Sequence, residues 1–367
     1  MVSGDSAPAC GADGAVANTL SGLAPHFARI DVICPYVRGG LPRPSPYPKV
    51  FFRSIGPFRL LAPFHVLRTG LSACRANRPQ LIAAHAYGPQ LMAFGAWLLS
   101  RVMGIPLVLE VHHVDGYPRA ATVPERLSRM ASAVFFRVAQ GHVRAFRVTN
   151  SLEVPGFLAS LSIPPEKIKV VHAMYIDRSA FRPMPGVRKE YDVIFAGRLA
   201  PNKGLDLLLS SFRILRGTLP SARLLILGSG PLRPWLRRRI ALDPHITHID
   251  RVPSARDVAL LYARSRVAAC ASSAEGGPRF IVEAMACGVP AVSTPVGLMR
   301  EIIHDGQNGF LAHDWSPESM ASGISAILAP DAPYASYSAH AVRSVLRFER
   351  DDALRAYASF YRELISP

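Results

Sequence analysis

The chain has 367 residues, 49% of them hydrophobic and 19% charged, with a mean hydropathy of +0.18. That is apolar material for two packed cores at about 100–200 residues per domain, and it excludes a largely disordered chain. Forty-two lysines and arginines against 26 aspartates and glutamates leave a formal charge of +16, which points to an anionic partner.

The chain opens Met-Val-Ser-Gly-Asp-Ser, without a basic or apolar leader, so no signal peptide is predicted. A doubly wound α/β domain begins with a buried strand, a glycine-rich turn and a helix. The turn-like Ala9–Gly14 and the helix-like Ala15–Phe27 are present, but Met1–Ser3 supplies at most the end of the strand. The first domain therefore reads as lacking its opening strand, and a segment upstream of Met1 is expected to provide it. Strands are predicted at Arg29–Cys34, Val50–Arg53, Leu81–His85, Leu107–Val111, Phe146–Thr149 and Lys169–His172. A second set follows at Tyr191–Ala196, Arg223–Gly228, Ile246–Ile249, Val267–Cys270 and Ala291–Ser293. Runs apolar on both faces, separated by amphipathic segments, indicate βαβ units and covered parallel sheets. The apolar stretch Leu91–Val111 contains Arg101, Gly104 and Pro106, and so reads as helix, turn and buried strand rather than a membrane span. Proline-rich Asp177–Gly186 is the expected hinge. The predicted domains are 1–178, 179–345 and a C-terminal helix, 346–367, crossing back to the first.

Five cysteines (Cys10, Cys34, Cys74, Cys270 and Cys287) are scattered without a C-x-x-C, which fits a reducing, cytoplasmic compartment and neither a disulfide framework nor a zinc site. Residues 32–109 carry nine basic side chains and no acid. Arg38, Arg43, Lys49, Arg53, Arg59, Arg68, Arg75 and Arg78 are interspersed there with Tyr36, Phe51, Phe52, Phe58 and Phe64. This pattern predicts peripheral contact with an anionic membrane surface. No aromatic–basic stacking platform or recognition-helix pattern accompanies it, so no nucleic acid is expected.

Two segments carry chemistry. Gly197-Arg198-Leu199-Ala200-Pro201-Asn202-Lys203-Gly204 joins the end of a strand to the start of a helix, where phosphates are bound. A guanidinium and an ammonium five residues apart can neutralise a diphosphate without a metal. In Glu275-Gly276-Gly277-Pro278-Arg279-Phe280-Ile281-Val282-Glu283, Glu275 is expected in the loop after a strand and Glu283 about two turns inside the next helix. One carboxylate can meet sugar hydroxyls and the other a ribose diol, with the glycines admitting backbone amides. No Asp-x-Asp pair occurs, so a metal-bridged diphosphate is unsupported.

The second segment resembles the E-x7-E motif of the retaining GT-B glycosyltransferases of the GT4-type family (glycosyl transferases group 1). The resemblance continues through Glu283-Ala-Met-Ala-Cys-Gly-Val-Pro-Ala-Val292 and the hairpin-like turn Gly306–Leu311. It also takes in Leu227-Gly228-Ser229-Gly230-Pro231 and Leu260-Leu261-Tyr262-Ala263, covering residues 190–320. Pro106–His112 is similar to a strand whose terminal histidine faces the family's active site. Ala173-Met174-Tyr175 replaces the family's Pro-Asn-Gly, and the opening Gly-Gly turn reads Gly11-Ala12.

The resemblance implies a GT-B fold, two Rossmann-like domains facing across a cleft, and retaining transfer from a nucleoside-diphosphate sugar to a glycan or lipid-linked hydroxyl. No cofactor or metal is implied. Arg198 and Lys203 would bind the diphosphate and Glu283 the ribose. Gly276, Gly277, Phe280, Ile281 and Gly11 would complete the donor site. Glu275 and His112 would be catalytic, with His85, His113 and His172 competing for the histidine's role. The alternative is a non-catalytic nucleotide-sugar or membrane-surface binding protein of the same fold.

Overall fold

The structure, a computed structural model, describes residues 1–11, 15–41, 45, 47–172 and 174–365. Residues 12–14 of the expected Ala9–Gly14 turn, Arg43 and Ala173 lie outside the described residues. Contacts divide the chain into a first unit of residues 1–115, 126–173 and 351–367 and a second of residues 116–125 and 174–350.

The first unit is built on parallel strands β1 (Ile30–Cys34), β2 (Val50–Ser54), β3 (Ile82–His85), β4 (Leu107–Val111), β5 (Val143–Val148) and β6 (Ile168–Val170). β1 pairs with β2, and β3 to β6 follow one another in a second ladder. β3 and β4 are buried along their whole length, as strands covered on both faces are. The helices are α1 (Ala15–Leu23), α2 (Ala62–Asn77), α3 (Leu91–Met103), α4 (Val123–Ala139) and α5 (Glu153–Ser160). The apolar stretch 91–111 resolves as expected. Gly104 takes a left-handed φ of 65° that ends α3, and β4 begins three residues later. Among the described residues, no helix is long and apolar enough to cross a membrane.

Residues 1–3 are the missing link of this sheet. Val2 bridges Ile33 of β1 and Ala84 of β3, both in parallel. The Val2 amide donates to Ala83 (2.7 Å) and the Ser3 amide to Ile33 (2.9 Å), while Met1 and Val2 accept from Ile33 and His85. As expected, Met1–Ser3 supplies only the end of an opening strand: it fills the central position at its carboxyl end. Toward the amino end the Met1 ammonium donates to the Asp31 carbonyl (2.7 Å), beside a cavity of about 280 Å³ lined by Met1, Phe27, Leu81, Tyr361 and Ile365. The C-terminal helix, Arg350–Ile365, packs Tyr357, Phe360 and Tyr361 against Leu23, Ala83, Val108 and Ala145.

The second unit holds one six-stranded parallel sheet: β7 (Tyr191–Ala196), β8 (Leu224–Leu227), β9 (Ile246–Ile249), β10 (Ser265–Cys270), β11 (Ala291–Ser293) and β12 (Gly309–Leu311). The spatial order is β12-β11-β10-β7-β8-β9, so the chain reverses direction across the sheet between β7 and β10. Its helices are α6 (Leu205–Thr218), α7 (Arg233–Ile240), α8 (Ala255–Ala263), α9 (Arg279–Ala286), α10 (Met299–Ile302), α11 (Pro317–Leu328) and α12 (Tyr334–Val345).

Two expectations change here. The hairpin-like turn at 306–311 leads into an edge strand that runs parallel to β11. The expected hinge, 177–186, is anchored in this unit: Asp177 caps its own turn through Ser179, and buried Phe181 packs against Tyr262. An apolar ring in a proline-rich segment finds a core.

Candidate functional site

In open α/β sheets ligands sit beyond the carboxyl ends of the strands at the point where strand order reverses. In the second unit that point lies between β7 and β10, and both singled-out segments are there. Gly204 caps the start of α6 at φ 63°, and a Cβ on it would lie 2.0 Å from the Ala271 carbonyl oxygen. Only glycine allows the 198–204 loop to press against the loop after β10. The Ser273 amide donates to Asn202 O (2.9 Å), and the Asn202 side-chain amide donates to Ala274 O (3.2 Å). Lys203 then forms an ion pair with Glu275, whose Oε1 also accepts from Ser272 Oγ at 3.4 Å. Burial, with repulsion from Arg198, lowers the Lys203 ammonium below the ordinary lysine range. Arg198 is exposed, extending the positive charge toward solvent.

Glu283 is the fifth residue of α9, about one turn inside rather than two, because the helix begins only at Arg279. Tyr262 of α8 donates to its Oε2 at 3.1 Å. Burial raises the Glu283 carboxyl to about 7, against the opposing pull of Arg279 and Tyr262. The other proposed donor contacts are unequal. Ile281 is fully buried and Phe280 stacks edge-on against Phe195 (5.4 Å), so their side chains belong to the core. They can reach a ligand only through the main chain of the helix's first turn. A Cβ on Gly277 would lie 3.0 Å from the Met174 methyl, whereas Gly11 has open space around it.

The first unit gathers a separate polar cluster of which the sequence singles out only His112 and its rival His85. Glu110 of β4, 1% exposed, accepts from Arg147 of β5 (2.8 Å) and lies 3.2 Å from His112 Nε2 and 3.5 Å from His85 Nε2. From the C-terminal helix, Tyr357 (2.6 Å) and Tyr361 donate to Glu110 Oε1, and the Arg147 guanidinium stacks 3.6 Å over the Tyr357 ring. Burial opposes ionisation of Glu110, yet Arg147, with His85 and His112, holds its carboxyl well below the ordinary range. Burial lowers both histidines, His85 to about 4. Against an ionised Glu110, His112 Nε2 is the donor, which leaves Nδ1 as the acceptor of a neutral ring.

His85, Glu110 and His112 have the proximity of a metal-ligand set. Arg147 and Tyr357 share the same carboxylate oxygen, however, and both tyrosines donate to the other, so the donor set is that of an ion-pair network. The rival histidines separate: His85 is buried, His113 lies 3.2 Å from Asp115, and His172 is hydrogen-bonded to Thr149 O.

Of the expected membrane-facing residues, Tyr36, Phe51, Phe58 and Phe64 are exposed, as are Arg38, Lys49, Arg59, Arg68, Arg75 and Arg78. Phe52 is half-buried and packs toward Ala9, Cys34 and Val37. The close-approach glycine of the opening turn is Gly4 rather than Gly11, since a Cβ there would lie 2.5 Å from the Tyr87 ring. The sequence signal was the Ser3-Gly4 step itself.

Residues 190–330 match the family model described as glycosyl transferases group 1. The chain is 28% identical to a D-inositol 3-phosphate glycosyltransferase of Segniliparus rotundus over 69% of its own length and 59% of the relative's. It is 26% identical to one from Streptomyces scabiei over 83% and 72%. Among solved structures it resembles sucrose-phosphate synthase from Thermosynechococcus elongatus (TM-score 0.81, 18% identity, covering 99% of this chain and 98% of that one). It also resembles Anabaena HepE in complex with UDP-glucose (TM-score 0.75, 20% identity, 99% and 98%). These likenesses give both units the GT-B fold.

Proposed function

We propose that this chain, whose residues 190–330 match the glycosyl transferases group 1 model, is a GT4-type enzyme that moves a sugar from a nucleoside-diphosphate sugar to an acceptor hydroxyl with retention of anomeric configuration. The observation that carries this reading is the junction of the 198–204 and 271–278 loops at the β7/β10 reversal. There Lys203, Glu275 and Glu283 share one carboxyl edge of the sheet.

In this reading Arg198 and Lys203 neutralise the departing diphosphate, with no metal required, and Glu283 holds the ribose. Glu275 accepts from hydroxyls of the transferred sugar. Its ion pair with Lys203 is then exchanged for ligand contacts, so donor binding sets the ammonium on the phosphates and the carboxylate on the sugar. Such a site stabilises the leaving group rather than supplying a strong nucleophile, which suits an oxocarbenium-like transition state. His112, a neutral ring with Nδ1 as acceptor, serves the acceptor side from the first unit.

The acceptor is a glycan or lipid-linked hydroxyl, and the protein works in the cytoplasm at an anionic membrane surface. HepE was solved with UDP-glucose, so a UDP-sugar is the first donor to test. The experiment is a panel of UDP-, GDP- and ADP-sugars with lipid-linked and glycan acceptors, reading nucleoside diphosphate release and the product's anomeric proton by NMR. Transfer with retained configuration is expected. Inversion, or binding of donors without transfer to any acceptor, would overturn the reading.

A further inference from the structure

Helices α2, α3 and α4 form one layer of the first unit. Gly95 of α3 is close enough to α2 that a Cβ would lie 2.8 Å from the Pro63 carbonyl oxygen, and Phe94 of α3 meets Phe135 of α4 edge-on at 6.1 Å. α4 turns Phe135, Phe136 and Ala139 inward, yet it leaves Leu127, Met130, Val134 and Val138 about 60% exposed. Steps of three, four and four residues align these four along one side of the helix. Ordinary surfaces scatter exposed apolar residues singly; a continuous row marks an interaction face. At the start of α2, Phe58, Leu60 and Phe64 are more exposed still.

The charge around this face is predominantly positive, and Asp115, which meets α4 at Ser128, is paired with His113. Arg68 and Arg75 of α2, Arg101 of α3 and Arg126 and Arg137 of α4 are all exposed. Neither α2 nor α3 contains an acid, and α4 has only Glu125, whose carboxylate accepts from the Ala121 amide. A second copy seated on α4 would bring arginines against arginines. An anionic bilayer answers both features, because acyl chains receive the apolar row while the headgroups meet the guanidinium groups.

We propose that the exposed face of α4, supported by the start of α2, is the surface by which this protein docks on an anionic lipid bilayer. The inference rests on the reading of the protein as one that works at a membrane surface. It moves the main contact out of the acid-free 32–109 stretch to a helix that the charge pattern did not mark.

The test is flotation of the full chain with vesicles of phosphatidylcholine alone or with 30–40% phosphatidylglycerol (about 1 kcal/mol per basic residue near such a surface). The wild type is expected on anionic vesicles only, and to leave them as salt approaches about 1 M, where the Debye length is about 3 Å. Leu127→Ser/Val134→Ser and, separately, Arg126→Glu/Arg137→Glu should each lower binding at least tenfold. Unchanged circular dichroism and melting temperature would show that these exposed substitutions leave the fold intact. Wild-type binding by both double variants overturns the α4 assignment alone. No binding by the wild type, or equal binding to neutral vesicles, overturns the membrane reading itself. Light scattering that finds a dimer in the wild type and a monomer in Leu127→Ser/Val134→Ser would assign the face to a second copy instead.

Discussion

Glu283 offers a prediction whose sign and size both follow from its surroundings. Its carboxyl titrates near pH 7 because burial disfavours the charge. To hold a ribose diol it has to accept two hydrogen bonds, and the ionised form does so with both oxygens, whereas the acid turns one oxygen into a donor. Nucleotide affinity should therefore rise with pH through 7. At pH 6 about one protein in eleven carries the carboxylate and at pH 8 about ten in eleven, so the dissociation constant should fall about tenfold, or ~1.4 kcal/mol.

Titration calorimetry with a nucleoside diphosphate at both values, on wild type and Glu283→Gln, reads this directly. The ligand's own phosphate ionisation is common to both proteins and cancels in the comparison. The glutamine variant should bind more weakly and lose the pH-dependent difference. Tyr262→Phe removes a hydrogen bond that favours the carboxylate, and should move the rise to higher pH. Parallel pH profiles for wild type and Glu283→Gln would refute the ribose role.

Arg198→Ala and Lys203→Ala should each weaken nucleoside diphosphate binding by ~1.5–3 kcal/mol, measured by the same calorimetry, and binding by the wild type should survive EDTA. Glu275→Gln should lower turnover in a donor-hydrolysis or transfer assay without weakening nucleotide affinity, since a sugar contact is lost while Lys203 is released from its ion pair. Gly204→Ala should abolish donor binding in a thermal-shift assay, because its Cβ would meet the Ala271 carbonyl. Arg147→Met leaves Glu110 buried without its cation and should cost about 3–5 kcal/mol in urea unfolding of the first unit. Because Glu110 is held below the usual carboxylate range, that contribution is present in the wild type above the unfolded carboxyl value. It disappears as pH falls through the folded one.

The second unit was legible because its information is local. The run Tyr191–Ala196 and the loop after it announce strand, glycine turn and the start of a helix within fifteen residues, and nothing remote is needed to read them. The position of Glu283 slipped by a turn because proline and two glycines delay the start of α9. Glu110 was read only as part of a strand. Its partners Arg147, Tyr357 and Tyr361 are 37 to 251 residues away, and no pattern along the chain joins them. The face of α4 was missed for a related reason. Its apolar residues occur at helical spacing on both sides of the helix, and only the packing of Phe135 and Phe136 decides which side is the core.

The wedge of Met1–Ser3 between β1 and β3 has a practical corollary. The amino group of Met1 faces the cavity beside Phe27, Leu81 and Tyr361, and Ile365 of the C-terminal helix lines the same space. Val2, 1% exposed, bridges both strands, so a change of side chain there disturbs β1 and β3 together.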